Sequence, residues 1–138
     1  MSFILDASAV LRFIDREAGA ERVSEVFQAA LAGRAVAIMS AIHYGEVIGV
    51  SYRRGGSSLV QATAARLAEL EIQVVSVDQT QAGRAAVIHV SRKIPYADSF
   101  AVELASESPD HILITADFDF KLAEQDVTIE FLPRKSTI

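Results

Sequence analysis

The sequence predicts an α/β fold: a three-layer α/β/α sandwich around a central, mostly parallel five-stranded sheet. Two observations carry that expectation. Short β-branched runs alternate with longer segments of helical periodicity along the chain, and the strand runs are apolar on both faces, as strands covered by helices on either side must be. At 138 residues, 51% of them apolar, the chain suffices for one well-formed core but not two, so residues 1–138 are expected as a single domain.

The elements follow in order. Phe3, Ile4 and Leu5 form a buried strand, and 7–17 and 20–32 are helical, the latter with Val23, Val26, Phe27, Ala30 and Leu31 on one face. Gly33 closes that helix. Residues 36–39 form the second strand, and Ser40 caps a helix over 41–54 that Gly55 and Gly56 end. A further helix starts at Ser57 or Ser58, with Leu59, Val60, Ala64, Leu67 and Leu70 as its stripe, and leads to a strand over 72–77. Asp78 caps a helix to Lys93, Pro95 stops it, and Asp98 opens the next. A strand over 112–115, a short helix over 117–123 and a strand over 127–132 complete the set.

Composition removes several function classes. Without cysteine there is no disulfide frame, thiolate zinc site or cysteine nucleophile, so any metal must be held by oxygen or histidine. The strand at the start is broken by Asp6 and Arg12, unlike a signal peptide, and the charge-free stretch 35–45 falls well short of the ~20 residues of a membrane-spanning helix. A soluble, cytoplasmic protein that does not enter a membrane is the expectation. A formal charge of −5 argues against a broad positive face for nucleic acid but not against a local grip. No histidine pairs with a serine and an acid as in a hydrolase triad.

Four acids stand inside apolar runs, at a strand end or in a helix: Asp6 in SFILDASAVL, Glu46 in SAIHYGEVIGV, Asp98 in IPYADSFAVELA and Asp117 in ILITADFDF. Taken singly, an Asp at a helix start is a cap worth about 1 kcal/mol. Glu46 sits mid-helix, where no capping role exists, and is either a site residue or part of a solvated face. Jointly the four read differently. Asp6 and Asp117 end strands that would be neighbours, ligands in parallel sheets bind beyond the carboxyl ends of the strands, and converging carboxylates repel unless a cation lies between them. Mg²⁺ and Mn²⁺ suit such oxygen donors. Asp119 is a further acid that is either an outer ligand or a solvated turn, and Ser8 and Thr115 are hydroxyls able to orient Asp6 and Asp117 or to make local backbone bonds. His43, three residues before Glu46, shares its helical face.

Together these residues resemble the PIN-domain family, and most closely the small toxin ribonucleases of bacterial VapBC toxin–antitoxin pairs. The resemblance lies in LDASAVL after the first strand, SAIHYGEVIG in the helix after the second, PYADSFAVELA opening a later helix and LITADFDF after the fourth strand; it spans nearly the whole chain. It implies that Asp6, Glu46, Asp98 and Asp117 form an acidic cluster holding Mg²⁺ or Mn²⁺, supported by Thr115 and Ser8. It also implies an endoribonuclease acting on RNA, a cognate VapB-like antitoxin laid over the acidic cleft, and a homodimer, for which apolar surface on the helices of 20–54 would be suited. The chain departs from the family's usual pattern at His43, where a hydroxyl residue is common, and at Phe100.

Arg53, Arg54, Arg84, Arg92, Lys93 and Tyr96 are candidates for phosphate contact or base stacking, or else solvated surface. Two rival readings remain at this level: a non-catalytic interaction module in which the acids survive as caps, and a metal-dependent phosphatase-like domain. The second wants paired acids after the first strand and a well-placed lysine; LDASAV lacks the pair, and Lys121 is poorly placed.

Overall fold

The computed structural model describes residues 1–135. Five strands, β1 (Ser2–Leu5), β2 (Val36–Ser40), β3 (Gln73–Val75), β4 (His111–Thr115) and β5 (Thr128–Phe131), form one sheet in the order β3-β2-β1-β4-β5. Every neighbouring pair is parallel. The expected sheet is therefore present and wholly parallel, with β1 at its centre.

Strand pleating sends alternate side chains to opposite faces, and each face has its own core. Phe3 and Leu5 of β1, Ala37 and Met39 of β2 and Ile114 of β4 pack with α1 (Ala7–Ile14), α2 (Ala20–Leu31) and α3 (Ala41–Glu69) through Val10, Val23, Val26, Phe27, Val47 and Leu67. Ile4 and Leu113 face the other way. They meet Ile94, the α5 helix (Tyr96–Ser106) through Ala101, Val102, Leu104 and Ala105, and the 3₁₀ turn Phe118–Ala123 through Phe120. The α4 helix (Gln79–Arg92) lies against α5, with Asp78 as its cap accepting from the Gln81 N–H at 2.8 Å.

Most boundaries fall within one residue of where the residues place them, and four elements differ by more. The α1 helix stops at Ile14 instead of Glu17, because Arg16 adopts φ +53°. The β3 strand keeps only 73–75 of the expected 72–77, since it is an edge strand paired on one side alone. Tyr96, not Asp98, begins α5, with Pro95 preceding it at φ −55° and ψ +145°, as proline's locked φ favours. The expected helices over 41–54 and from 57 onward are two arms of α3, broken at Gly56.

That break is a sharp reversal. The Ser51 and Thr63 hydroxyls, both buried, are 2.8 Å apart, whereas twelve residues of straight helix would separate them by ~18 Å. Gly56 makes the turn at φ +66° and ψ −158°, a region essentially closed to residues with a Cβ. Because nothing lies within 4 Å of a Cβ built there, the cost of a side chain is one of backbone conformation, not of space. The apolar surface expected on 20–54 is largely spent on the core by Val23, Val26, Phe27 and Val47, leaving Leu31 and Tyr52 as its large exposed apolar groups. Among the described residues no helix is long and apolar enough to cross a membrane.

Gly56→Ala is expected to destabilise the fold by ~1–3 kcal/mol. Gly49→Ala, in the first arm of α3 with open space around it, should stabilise it by ~0.5–1 kcal/mol. Urea melts of the two variants beside the parent decide the matter, and equal effects would show that α3 does not turn back at Gly56.

Candidate functional site

Parallel pairing of β1 with β4 matches Leu5 to Ile114, so the next residues along, Asp6 just past β1 and Thr115 at the end of β4, lie side by side. Asp6 is 3% exposed and caps α1. Its Oδ1 accepts from the Ala9 N–H at 3.0 Å and from the Ser8 hydroxyl at 2.8 Å; its Oδ2 accepts from the Thr115 hydroxyl at 2.7 Å. The Ser8 oxygen in turn accepts from the Ala116 N–H at 2.9 Å, tying α1 to the end of β4. Thr115 accepts from the Asp117 N–H at 2.9 Å. Both hydroxyls thus orient Asp6; Thr115 addresses the backbone of Asp117 rather than its carboxylate, a choice set by the cross-strand register and invisible to sequence spacing.

Burial nevertheless outweighs these bonds. The Asp6 carboxyl is pushed up from 3.8 to about 6, chiefly by loss of solvent, with the bonds from Thr115, Ala9 and Ser8 opposing the rise and the charge of Asp117 adding to it. Asp98 rises further, to about 7, from burial first and then from the charges of Asp117, Asp6, Glu46 and Asp119. Glu46 is raised as well, by burial. These causes show the acids acting on one another: the structure brings Asp6, Glu46, Asp98 and Asp117 together at the carboxyl edge of the sheet, with Asp119 beside them. The β1–α1 junction, α3, α5 and the end of β4 each contribute one of the four.

The capping account divides the four. Asp6 does cap α1, and Asp117 caps the 3₁₀ turn by accepting from the Asp119 N–H at 2.9 Å. Asp98 lies in the first turn of α5, not at its cap, and among the described residues no hydrogen bond reaches its carboxylate. Glu46, mid-helix, has none either. Among the described residues the only ionisable base near these two is His43, whose Nε2 is 3.5 Å from Glu46 Oε1 and 3.8 Å from Asp98 Oδ1. Burial holds His43 down at about 4, the Ala97 backbone only partly opposing it, so the ring is neutral near pH 7 and supplies no charge.

No arginine or lysine among the described residues pairs with the four acids. Arg12, the buried guanidinium nearest in sequence to Asp6, donates instead to the Ala18 and Pro133 carbonyls at 2.7 and 2.8 Å. Oxygen donors with like charge and no protein counter-ion are a donor set suited to a hard divalent cation. Among the described residues no group of three or more His, Asp or Glu side chains is arranged to hold an ion as it stands.

The candidate basic groups are scattered. Arg54 is committed to Asp15 at 2.7 Å, Arg92 to Asp126 at 2.6 Å, and Arg84 lies 3.6 Å from Glu103. Lys93, at φ +58° after α4, lines a groove of about 490 Å³ with His89, Ile94, Pro95, Asp119 and Leu122. Asp119 joins that groove to the acids. Tyr96 is 44% exposed and leans on His89 and Phe100. Lys121 lies over the Phe118 ring. Sequence reasoning did not foresee the complete burial of His43; its place beside Val47 on the inward face of α3 was the available signal.

The PIN domain family profile matches residues 3–125. The fold is similar to the VapBC2 complex of Rickettsia felis bound to a fragment of its promoter DNA (TM-score 0.74, 12% identity, covering 96% of this chain and 100% of that one). It is similar to DNA-bound VapBC of Salmonella typhimurium (0.69, 17%, 95% and 98%). It is also similar to VapC20 of Mycobacterium tuberculosis, a toxin that cleaves the sarcin–ricin loop (0.65, 18%, 95% and 99%). No match is found among curated proteins.

Because the folded-state values of Asp6 and Asp98 lie above the ordinary carboxylate value of 3.8, the native state holds more protons than the unfolded chain between about pH 4 and 7. Their contribution to stability therefore falls as pH rises through that window and is lowest above it. In EDTA, Asp98→Asn should raise Tm at about pH 8 by several degrees and leave it nearly unchanged at about pH 4, where the parent carboxyl is already neutral. Thermal melts at the two pH values check this; an equal loss of Tm at both would deny the repulsion.

Proposed function

The chain belongs to the PIN-domain family, and on that premise we propose that it is a Mg²⁺- or Mn²⁺-dependent endoribonuclease, the toxin of a type II toxin–antitoxin pair. The observation that carries the reading is the meeting of four carboxylates from four parts of the chain with no arginine or lysine of the described residues paired to them, two of them raised above the ordinary carboxylate value chiefly by burial and further by the neighbouring charges. The sarcin–ricin cleavage named for the Mycobacterium tuberculosis relative, and the antitoxin complexes of the others, support the same assignment.

In this reading Asp6, Glu46, Asp98 and Asp117 are the catalytic and metal-holding groups. A divalent cation bound there supplies Lewis acidity toward water and toward the scissile phosphate. The chain's own part is positional. Ser8, Thr115 and the Ala9 N–H hold Asp6 in one orientation, and Asp119 N–H fixes one oxygen of Asp117 while its other oxygen stays available. Asp98 and Glu46, which no hydrogen bond ties down, are able to turn toward an ion. No side-chain nucleophile is required. The interaction-module alternative, with the acids kept only as caps, leaves Asp98 and Glu46 without a role, since neither caps a helix.

Lys93 and the groove beside Asp119 are where the RNA backbone is gripped, with Tyr96 and Leu122 offering apolar surface to a base. A VapB-like antitoxin covering the same acids and a homodimeric assembly complete the proposal. The outward stripe of Val87 and Val90, 67% and 74% exposed, suits a protein partner.

Purified chain incubated with tRNAs and ribosomal RNA fragments is expected to cut with Mg²⁺ or Mn²⁺ and to stop in EDTA. Asp6→Asn and Asp98→Asn should lose more than the ~10–100-fold expected for an outer partner such as Thr115→Val. If both acid variants cut as the parent does, the assignment fails. In filter binding over a salt series, Lys93→Ala should lower the logarithmic slope by ~0.7, the value for one single-strand phosphate, whereas Arg92→Ala, whose guanidinium is held by Asp126, should leave it unchanged. An unaltered slope for Lys93→Ala removes that residue from the RNA path.

A further inference from the structure

The segment that follows β5 is pinned on both sides of Arg134. The buried Arg12 guanidinium donates to the Pro133 carbonyl at 2.8 Å, the Leu132 N–H donates to the Thr115 carbonyl at 2.8 Å, and Lys135 pairs with Glu17 at 2.7 Å. So fixed, Arg134 places its guanidinium carbon 4.0 Å from the centre of the Phe118 ring, and Lys121 Nζ lies over the same ring at 5.5 Å. The ring is itself stacked on Phe131, with 5.1 Å between centres and 9° between planes, and Phe131 rests on the core that holds Ile4 and Leu113. Phe118 thus has a rigid backing and a removable cover. Both covering cations are exposed, and neither is in an ion pair among the described residues.

Its position matters as much as its stacking. Phe118 stands between Asp117 and Asp119 in a turn closed by the Asp119 N–H on Asp117 Oδ1 at 2.9 Å. Phe131 is the register partner of Thr115, whose hydroxyl holds Asp6. The ring is therefore one residue, ~3.8 Å of backbone, from the acidic cluster. A cation over an aromatic face is held more weakly at an exposed site than a stacked nucleobase, which matches the ring in flat area; a displaced guanidinium or ammonium is then beside the phosphates that such a base carries.

We propose that Phe118, backed by Phe131, is the stacking platform for one unpaired nucleobase of the RNA, and that Arg134 and Lys121 exchange the ring for the phosphates flanking that base. The platform rests on the reading of the chain as a ribonuclease and gives it a substrate class: a single-stranded or looped segment, because a base inside a duplex has both faces covered by its neighbours. It makes no choice among bases, since every base offers a π-face. The Lys93 groove reaches the same turn through Asp119, so phosphate grip and base platform adjoin.

Binding is measured on the full chain in EDTA, where metal-dependent cutting does not intervene, with a short fluorescein-labelled oligoadenylate, an abasic strand of the same length and an RNA duplex as probes. The parent should bind oligoadenylate ~10-fold more tightly than the abasic strand. Phe118→Leu, which keeps an apolar side chain against Phe131, should lose that preference while changing duplex affinity by less than about twofold. Arg134→Ala should lower the logarithmic salt slope by ~0.7, and Phe118→Leu should leave the slope unchanged. The chain holds no tryptophan, so Phe118→Trp introduces a single reporter, whose fluorescence saturating oligoadenylate should quench and the abasic strand should not. Equal affinity of the parent for oligoadenylate and abasic strand, which needs no variant to fold, overturns the platform, as does an unquenched tryptophan at saturation. So does a parent that binds no oligoadenylate, stacking being indifferent to sequence. Each of these leaves the ribonuclease reading standing, because cutting with Mg²⁺ or Mn²⁺ is measured separately; a parent that cuts no RNA removes that reading and the platform with it.

Discussion

The pairing of β1 with β4 is the constraint from which the site follows. Because the strands run parallel with Leu5 matched to Ile114, the chain leaves both at the same edge, and Asp6 is delivered against Thr115 and Ala116 with no room for solvent. A carboxylate in that position is bound by two hydroxyls and a backbone N–H and is still unfavourable as an anion, since three hydrogen bonds do not replace bulk water. The helices α3 and α5, from opposite sides of the sheet, then bring Glu46 and Asp98 to the same edge. Each added acid raises the cost of ionising the others.

Such an arrangement is destabilising on its own account. Holding Asp6 near 6 where an exposed carboxyl would stay near 3.8 amounts to on the order of 3 kcal/mol against the folded state at neutral pH, a sizeable part of the stability of a domain this size. Two separate cores offset it. One face of the sheet buries Phe27, Met39 and Leu5, the other Phe120, Leu113 and Ile4, and neither core includes any of the acids. The scaffold is therefore rigid on both sides of a strip of concentrated negative charge, the condition under which repulsion is retained instead of relaxing into a rearranged backbone.

The same economy shows in the basic residues. Arg12, Arg54 and Arg92 are spent on carbonyls or on acids outside the cluster, so the cluster keeps its field, while Lys93 beside Asp119 keeps its charge free of any ion pair among the described residues. An acidic centre with a basic neighbour a short distance away is compatible, at a net charge of −5, with the polyanionic substrate proposed above.

The order of elements, the parallel sheet, the caps at Ser40 and Asp78 and the close of α2 at Gly33 were legible in the residues, because hydrophobic period, cap chemistry and positive φ are local properties of a few neighbouring side chains. What the sequence could not convey is whatever depends on two distant segments at once. Asp98, taken singly, read as a cap until the helix was seen to begin at Tyr96; Thr115 read as orienting the Asp117 carboxylate or making a local backbone bond, and the strand register turns its hydroxyl to the Asp6 carboxylate while the local bond from the Asp117 N–H is kept. Arg54 and Arg92 read as free until Asp15 and Asp126 were found against them, and the burial of His43, which the sequence placed only on the helical face of Glu46, came with the packing of α3 on α5. Composition and periodicity determined which groups the chain carries and on which elements. Tertiary packing alone decided which are desolvated and which charges face each other, because solvation and Coulomb energy depend on distance through space and not along the chain.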